Sequence, residues 1–379
     1  MNNTINLVCF SYDNSGAYSN RIVAMAKALA QSGVKTNLYF LLPNYLYDTL
    51  NIDKEENLNI IYLWGKDDRR DSRTLMSSIL KLRKLIRKDD IVYCGTHFSK
   101  LLFPLTYFLP GKKVYESTEH PFLNPQISLS RKIFVKIANY LTRNDIHFVI
   151  SESLGEFLKK EGCDEKKISV MNMFVDSDRF RNVEKQAGTK RFISYCGSVS
   201  YGKDGVNNLI EAFAKISGKF PDVALRIIGP DIAVEDKPTE KLKELAGTLG
   251  VEDKVEFTGR IPSQQMPQYL KDSTILALAR PDNVQAQNGF PTKLGEYLCT
   301  GNPVVVTSVG EIPKFIKHKV NGFLAEPGNI DSFAEQLEWV LEHPEEAAEI
   351  GQNGKKLTEY EFSAKEQVRQ AWDFICNNI

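Results

Sequence analysis

The run Asn288-Gly289-Phe290-Pro291-Thr292-Lys293-Leu294-Gly295-Glu296-Tyr297-Leu298 concentrates residue types that could do chemistry. It reads as a Gly/Pro turn and the opening of a helix, and Gly301-Asn302-Pro303-Val304-Val305-Val306 then reads as a turn into a buried strand. Pro291 suits the first helical position, where its missing N–H is not needed. The amides of Thr292, Lys293 and Leu294 would then point out of the helix N-terminus. That end carries roughly half a positive charge and suits a phosphate. Glu296 lies four residues after Thr292 and three after Lys293, so it shares their side of the helix. A carboxylate beside a phosphate site can accept hydrogen bonds from sugar hydroxyls, so the stretch suits a sugar phosphate or a nucleotide. Lys293 could touch the phosphate or only water. Asn288 is either a turn former or a partner for a sugar hydroxyl.

Other candidates sit where apolar runs end. Gly197-Ser198-Val199-Ser200-Tyr201-Gly202-Lys203-Asp204-Gly205 follows one such run. There Lys203 could meet a diphosphate, with glycines letting the backbone approach it; the plainer reading is a solvated lysine. Glu119-His120-Pro121 follows Val114-Tyr115, and His120 could orient a sugar hydroxyl. Arg260 and Arg280 each follow a strand-like run and could reach a cleft. The loop containing Ser15 and Gly16 could line an acceptor side; it lacks the spacing of a dinucleotide-binding GxGxxG, so no NAD is expected.

The elements that would position these residues alternate along the chain. Ile5–Phe10, Thr36–Leu42, Ile91–Cys94, Lys113–Tyr115 and His147–Ile150 read as strands, and Asn20–Gln31 as a helix. The pattern restarts after a polar, aperiodic stretch at 183–190, with strands at Phe192–Cys196, Ala224–Ile228, Val255–Phe257, Ile275–Leu278 and Pro303–Thr307 and a helix at Asn207–Phe220. This βαβ alternation implies two doubly wound, parallel-sheet α/β halves, 1–182 and 191–362. Ligands in such sheets bind outside the carboxyl ends of the strands, so two facing halves would share a cleft.

Composition narrows the function. Lys plus Arg and Asp plus Glu each number 48, and this neutral balance argues against broad nucleic-acid binding. Residues 1–180 nevertheless carry 25 basic against 20 acidic side chains. The basic, amphipathic runs Lys81–Lys88 and Arg131–Lys136 read either as docking on anionic lipid or as helices with solvated charges. The six cysteines are scattered without CxxC spacing, which suits a reducing cytoplasm and argues against structural zinc. No signal peptide is expected at the N-terminus, and no apolar run approaches the roughly 20 residues of a membrane span.

Taken together, these residues resemble retaining glycosyltransferases of family 4, the group-1 type built from two Rossmann-like domains (GT-B). The resemblance rests on Gly289-Phe290-Pro291 through Glu296-Tyr297-Leu298 with Gly301-Asn302-Pro303, on Gly197 with Lys203, and on Phe257-Thr258-Gly259. Asn172-Met173-Phe174-Val175-Asp176 with Arg179-Phe180, and Asn321-Gly322-Phe323-Leu324 with Pro327-Gly328, extend it. It implies a nucleotide-diphosphate-sugar donor, Glu296 on the ribose, and Lys203 with the 292–294 amides on the diphosphate. His120 would lie near the donor sugar, and a C-terminal helix, 363–379, would cross back to the first domain. It implies no cofactor and no metal. Two positions depart from the family: Asn288 stands where a second Glu is usual, and Ser198 where an Arg is usual; Lys293 can replace the missing cation.

The expected function is transfer of a sugar to a glycan or lipid-linked glycan in cell-surface polysaccharide or glycoconjugate synthesis. The expected place is the cytoplasm, with peripheral contact at the inner, anionic membrane surface. The alternatives are a nucleotide-sugar epimerase or phosphorylase on the same architecture, and a non-catalytic partner that binds donor or glycan. Asn288 and Ser198 motivate the last.

Overall fold

The computed structural model describes residues 4–11, 17–43, 55–65, 67–95, 98–122, 127–186, 188, 190–200, 204–231 and 236–379. The chain divides into two compact units, Met1–Asp176 with Ala364–Ile379, and Ser177–Ser363.

The first unit runs β1 (Ile5–Cys9), α1 (Ala17–Gln31), β2 (Thr36–Phe40), β3 (Leu58–Tyr62), α2 (Ser72–Leu85), β4 (Ile91–Cys94), α3 (Leu102–Tyr107), β5 (Lys112–Ser117), α4 (Leu129–Thr142), β6 (Ile146–Val149), α5 (Glu152–Lys160) and β7 (Ile168–Val170). All seven strands are parallel, in the order β3-β2-β1-β4-β5-β6-β7. Every residue of β1, β4 and β6 is buried, as the short apolar runs require of strands covered on both faces. Helix starts follow local chemistry. Asp71, Ser128 and Ser151 each accept a hydrogen bond from the backbone N–H three residues on and so cap α2, α4 and α5. On one face α1 packs with the C-terminal helix; on the other lie α2, α3 and α4.

The second unit runs β8 (Arg191–Cys196), α6 (Val206–Ile216), β9 (Val223–Ile228), α7 (Pro238–Thr248), β10 (Val255–Gly259), α8 (Met266–Lys271), β11 (Ile275–Leu278), α9 (Val284–Asn288), α10 (Lys293–Cys299), β12 (Val304–Thr307), α11 (Ile312–Phe315), β13 (Phe323–Ala325), α12 (Ile330–Glu342) and α13 (Pro344–Lys356). Its six parallel strands lie in the order β10-β9-β8-β11-β12-β13. This repeats the first unit's winding: out from the central strand one way, then back across to the other side. The reversal falls between β8 and β11, the switch point where such sheets bind ligands. The last helix, α14 (Ala364–Asn378), belongs to the first unit, where Val368, Ala371 and Ile375 are buried against its core.

The boundary differs from the sequence reading. Residues 183–186 do not link the units but are tied to the second: Lys185 donates to the Ser273 carbonyl at 2.9 Å, the Gln186 amide to Asp272 at 2.8 Å, and Gln268 to the Glu184 carbonyl at 2.9 Å. A polar stretch without periodicity can be an anchored strap as readily as a linker. The division falls instead between Asp176 and Ser177.

Candidate functional site

The second unit's switch point gathers charge. The Asp204 carboxylate, 8% exposed, accepts from Lys293 Nζ at 2.5 Å and from the Tyr195 hydroxyl at 2.9 Å, and Arg280 Nε lies 3.6 Å away. Burial alone would raise the Asp204 pKa, but the two cations and the tyrosine hydroxyl overcome it and hold the carboxyl down at about 2. Arg280 is 4% exposed, and its Nε and Nη1 lack hydrogen-bond partners. The arginine end expected to reach an open cleft is thus enclosed.

Gly197 and Gly205 make this packing possible. A Cβ on Gly197 would stand 2.3 Å from Lys293 Nζ, so the lysine head lies over the bare backbone at the end of β8. Gly205, at φ 72°, is the left-handed residue before α6, and a Cβ there would fall 1.7 Å from the Ala279 carbonyl oxygen. Gly205→Ala is expected to destabilise the second unit by roughly 3 kcal/mol or more, combining left-handed strain with a backbone overlap. Calorimetric melting against the wild type measures this.

Glu296 sits on the first turn of α10. Its Oε1 accepts from Arg179 Nη1 at 2.5 Å, and Arg179 Nη2 donates to the Ser263 carbonyl at 3.3 Å. Arg179 therefore fixes the carboxylate from a different element, and its part was not readable from the sequence although it directly precedes Phe180 in the 172–180 segment. Asp204 and Tyr195 were missed in the same way. For Asp204 the available signal was a carboxylate directly before a helix-opening glycine.

Several expectations are corrected. Pro291 lies before the helix rather than at its first position: α10 begins at Lys293, with Thr292 as its cap in helical geometry. The Leu294 N–H donates to the Pro291 carbonyl at 3.0 Å, because the entry turn tightens, so it is not available to an anion. Lys293 does not face water: its charge is taken by Asp204. Asn288 ends α9, and its amide donates to the Val284 carbonyl of its own helix at 2.8 Å, rather than projecting from the turn before Gly289. The Phe290 side chain is buried, edge-on to Phe315 and Phe362, and anchors the turn, so only its backbone is left to meet a ligand. Ser198 and Arg260 are exposed at the ends of β8 and β10, and the Ser198 carbonyl lies 3.2 Å from the Tyr195 hydroxyl. Lys203, Ser15 and Gly16 lie outside the described residues.

In the first unit, Glu119 is exposed and His120 follows the end of β5. His120 Nδ1 accepts from the Phe122 amide at 3.2 Å, and the ring packs edge-on to Phe157 at 4.6 Å. Desolvation lowers its pKa, so at neutral pH the ring is neutral with its proton on Nε2, a donor suited to a hydroxyl oxygen. Deeper in the same unit, Arg21 and Glu116 form an ion pair at 2.7 Å with side chains 3% and 2% exposed. Cys9 and Cys94 are buried and pushed up to about 12 by desolvation, which makes them inert thiols. Among the described residues no cluster of metal-ligating side chains occurs.

Residues 176–357, nearly all of the second unit, match the family described as glycosyl transferases group 1. WcaL of Escherichia coli K12, provisionally named a colanic acid biosynthesis glycosyltransferase, is 27% identical over 226 residues, 58% of this chain and 54% of its own. A GDP-mannose-dependent alpha-(1-6)-phosphatidylinositol monomannoside mannosyltransferase of Mycolicibacterium smegmatis is 26% identical over 291 residues, 73% and 74% of the two chains. Against WcaL and other curated relatives of similar identity the chain spans about half of their length. Anabaena Alr3699/HepE, solved in complex with UDP and glucose, superposes with a TM-score of 0.73 at 16% identity over 99% of each chain, and so shares the GT-B type of fold.

Proposed function

We propose that this protein is a retaining hexosyltransferase that moves a sugar from a nucleoside-diphosphate sugar to a glycan or glycolipid acceptor in cell-surface polysaccharide or glycoconjugate synthesis. The observation that carries the reading is the convergence, at the switch point of the second sheet, of bare Gly197 backbone, the Lys293 ammonium and the Arg179-held Glu296 carboxylate. In the reaction the sugar's C1–O bond to the diphosphate breaks, and a C1–O bond to the acceptor hydroxyl forms on the same face. The hydroxyl proton leaves with the diphosphate. Lys293 and the Thr292 and Lys293 amides would stabilise the charge developing on that leaving group. Glu296 would hold the ribose, and the His120 Nε2–H would orient a sugar hydroxyl. The donor is a substrate, and no cofactor is assigned. No described helix is long and apolar enough to cross a membrane. The proposed setting is the cytoplasm, on the inner face of the membrane, with a lipid-linked acceptor.

A second reading, a non-catalytic nucleotide-sugar-binding partner, draws on Asp204 neutralising Lys293 and on Asn288 bonding to its own helix. Thermal melting with UDP, GDP, ADP and CMP and their sugar conjugates, followed by product analysis, separates the two. One diphosphate nucleoside should raise the melting temperature selectively, and Glu296→Gln should weaken it about 10–100-fold, the worth of one or two charge-assisted hydrogen bonds. Binding without a new glycosidic bond on any acceptor would favour the partner reading; no stabilisation by any nucleotide would remove both.

A further inference from the structure

We propose that the outer side of the α2–α3–α4 layer in the first unit is a docking surface for an anionic lipid bilayer. It deepens the membrane-borne acceptor of the proposed function and rests on that reading for its purpose. The three helices form one continuous layer. Phe103 of α3 meets Phe134 of α4 edge-on at 5.9 Å, and Arg83 of α2 donates to the Phe108 carbonyl after α3 at 3.3 Å. Their inner sides supply Leu75, Ile79, Phe103 and Ala138 to the core over the sheet. An amphipathic helix packed this way ordinarily turns mixed charges to water. Here the outer side is apolar as well.

On α4, Leu129, Ile133 and Ile137 recur every fourth residue and are 72%, 49% and 52% exposed, and Tyr140, 65% exposed, extends the stripe. Leu101 and Phe108 add to it at the two ends of α3, and Met76 and Leu80 on α2. Ten of the sixteen large apolar side chains exposed among the described residues lie in this layer or at its ends, too many in one place for scattered surface residues. The sequence reading of solvated charges on these helices is therefore incomplete. The charges that are present have one sign. Lys132 and Lys136 flank the α4 stripe, Arg83 and Lys84 end α2, and none of the three helices contains Asp or Glu.

An apolar stripe on helices that carry cations and no acidic side chain is complementary to a surface with an apolar interior and anionic headgroups. A second copy of this chain, paired about a two-fold axis through the same face, would set these cations against each other. That disfavours self-association as the occupant.

The test is flotation of the full chain with vesicles of phosphatidylcholine alone and of phosphatidylcholine with 30 mol% phosphatidylglycerol. The comparison includes Lys132→Glu/Lys136→Glu and Ile133→Asp/Ile137→Asp. Wild type should float with the anionic vesicles and release at high salt. Each basic side chain near such a surface is worth roughly fivefold in partitioning, so the charge reversals should cost at least about tenfold. Ile133→Asp/Ile137→Asp should float no better. All four substituted positions are exposed, so melting temperature and nucleotide-induced stabilisation should not move. Wild type that ignores anionic vesicles, or variants that float as wild type does, would overturn the proposal. So would a wild-type dimer in sedimentation that the Ile variant dissociates without change in flotation. Vesicle binding without nucleotide binding would sink the transferase reading alone, and the converse would sink the docking surface alone.

Discussion

Arg21→Met should destabilise the first unit by roughly 3–5 kcal/mol, the cost of leaving one member of a buried ion pair without its partner. Arg21 Nε donates to Glu116 at 2.7 Å, its Nη1 and Nη2 donate to the Asn172 and Met171 carbonyls, and its guanidinium lies 4.1 Å from the Phe174 ring centroid. One substitution thus removes the countercharge of Glu116 and orphans two carbonyls on the stretch leading out of the unit. The other carboxylate oxygen, Oε2, is buried without a hydrogen-bond partner. Urea unfolding followed through Trp372, which packs on the affected core, measures the loss. Arg21→Met/Glu116→Leu should recover most of it, since replacing both members by apolar groups removes the uncompensated charge. A loss under about 1 kcal/mol for the single variant would mean that water reaches the pair.

Asp204→Asn should have the second large effect, in the other unit. The substitution keeps shape but leaves Lys293 and Arg280 close together without an anion, at an expected cost of about 3 kcal/mol or more. The pH dependence has a definite sign. The folded pKa, about 2, lies below the ordinary aspartate value of 3.8, so the carboxylate's contribution is full above pH 4 and disappears as the pH falls toward 2. The stability difference between wild type and Asp204→Asn should therefore shrink by about 2 kcal/mol across that interval. At neutral pH, UDP or another bound nucleoside diphosphate should raise the melting temperature of Asp204→Asn more than that of wild type, because its phosphates would supply the missing negative charge. Equal shifts would place the diphosphate away from Lys293.

The alternation of short apolar runs with helix-period segments was sufficient to read two parallel α/β units, because central strands such as Ile91–Cys94 and Ile275–Leu278 are buried throughout. The strands missed, Leu58–Tyr62, Ile168–Val170 and Phe323–Ala325, are all at sheet edges. The first two are half exposed and the third has three residues, too few for a pattern to show. At the site, Glu296, Lys293 and Gly197 were legible because one helix start or one loop carries each. Their partners were not. Asp204 reaches Lys293 across 89 residues and Arg179 reaches Glu296 across 117, and nothing in local composition sets which charges the sheet will bring together. The Leu294 amide was misassigned because a proline before a helix does not say where the first turn closes.

The first unit has a consequence for biosynthesis. Its hydrophobic interior takes Val368, Ala371 and Ile375 from α14, which meets α1 only after the 332 residues between the two helices have been made. On the ribosome, the side of α1 that α14 covers therefore stays bare while the whole second unit is synthesised and folds. Emerging chains ordinarily complete their leading domain first; here the leading domain is finished last. The nascent polypeptide carries an uncovered apolar patch for most of its translation.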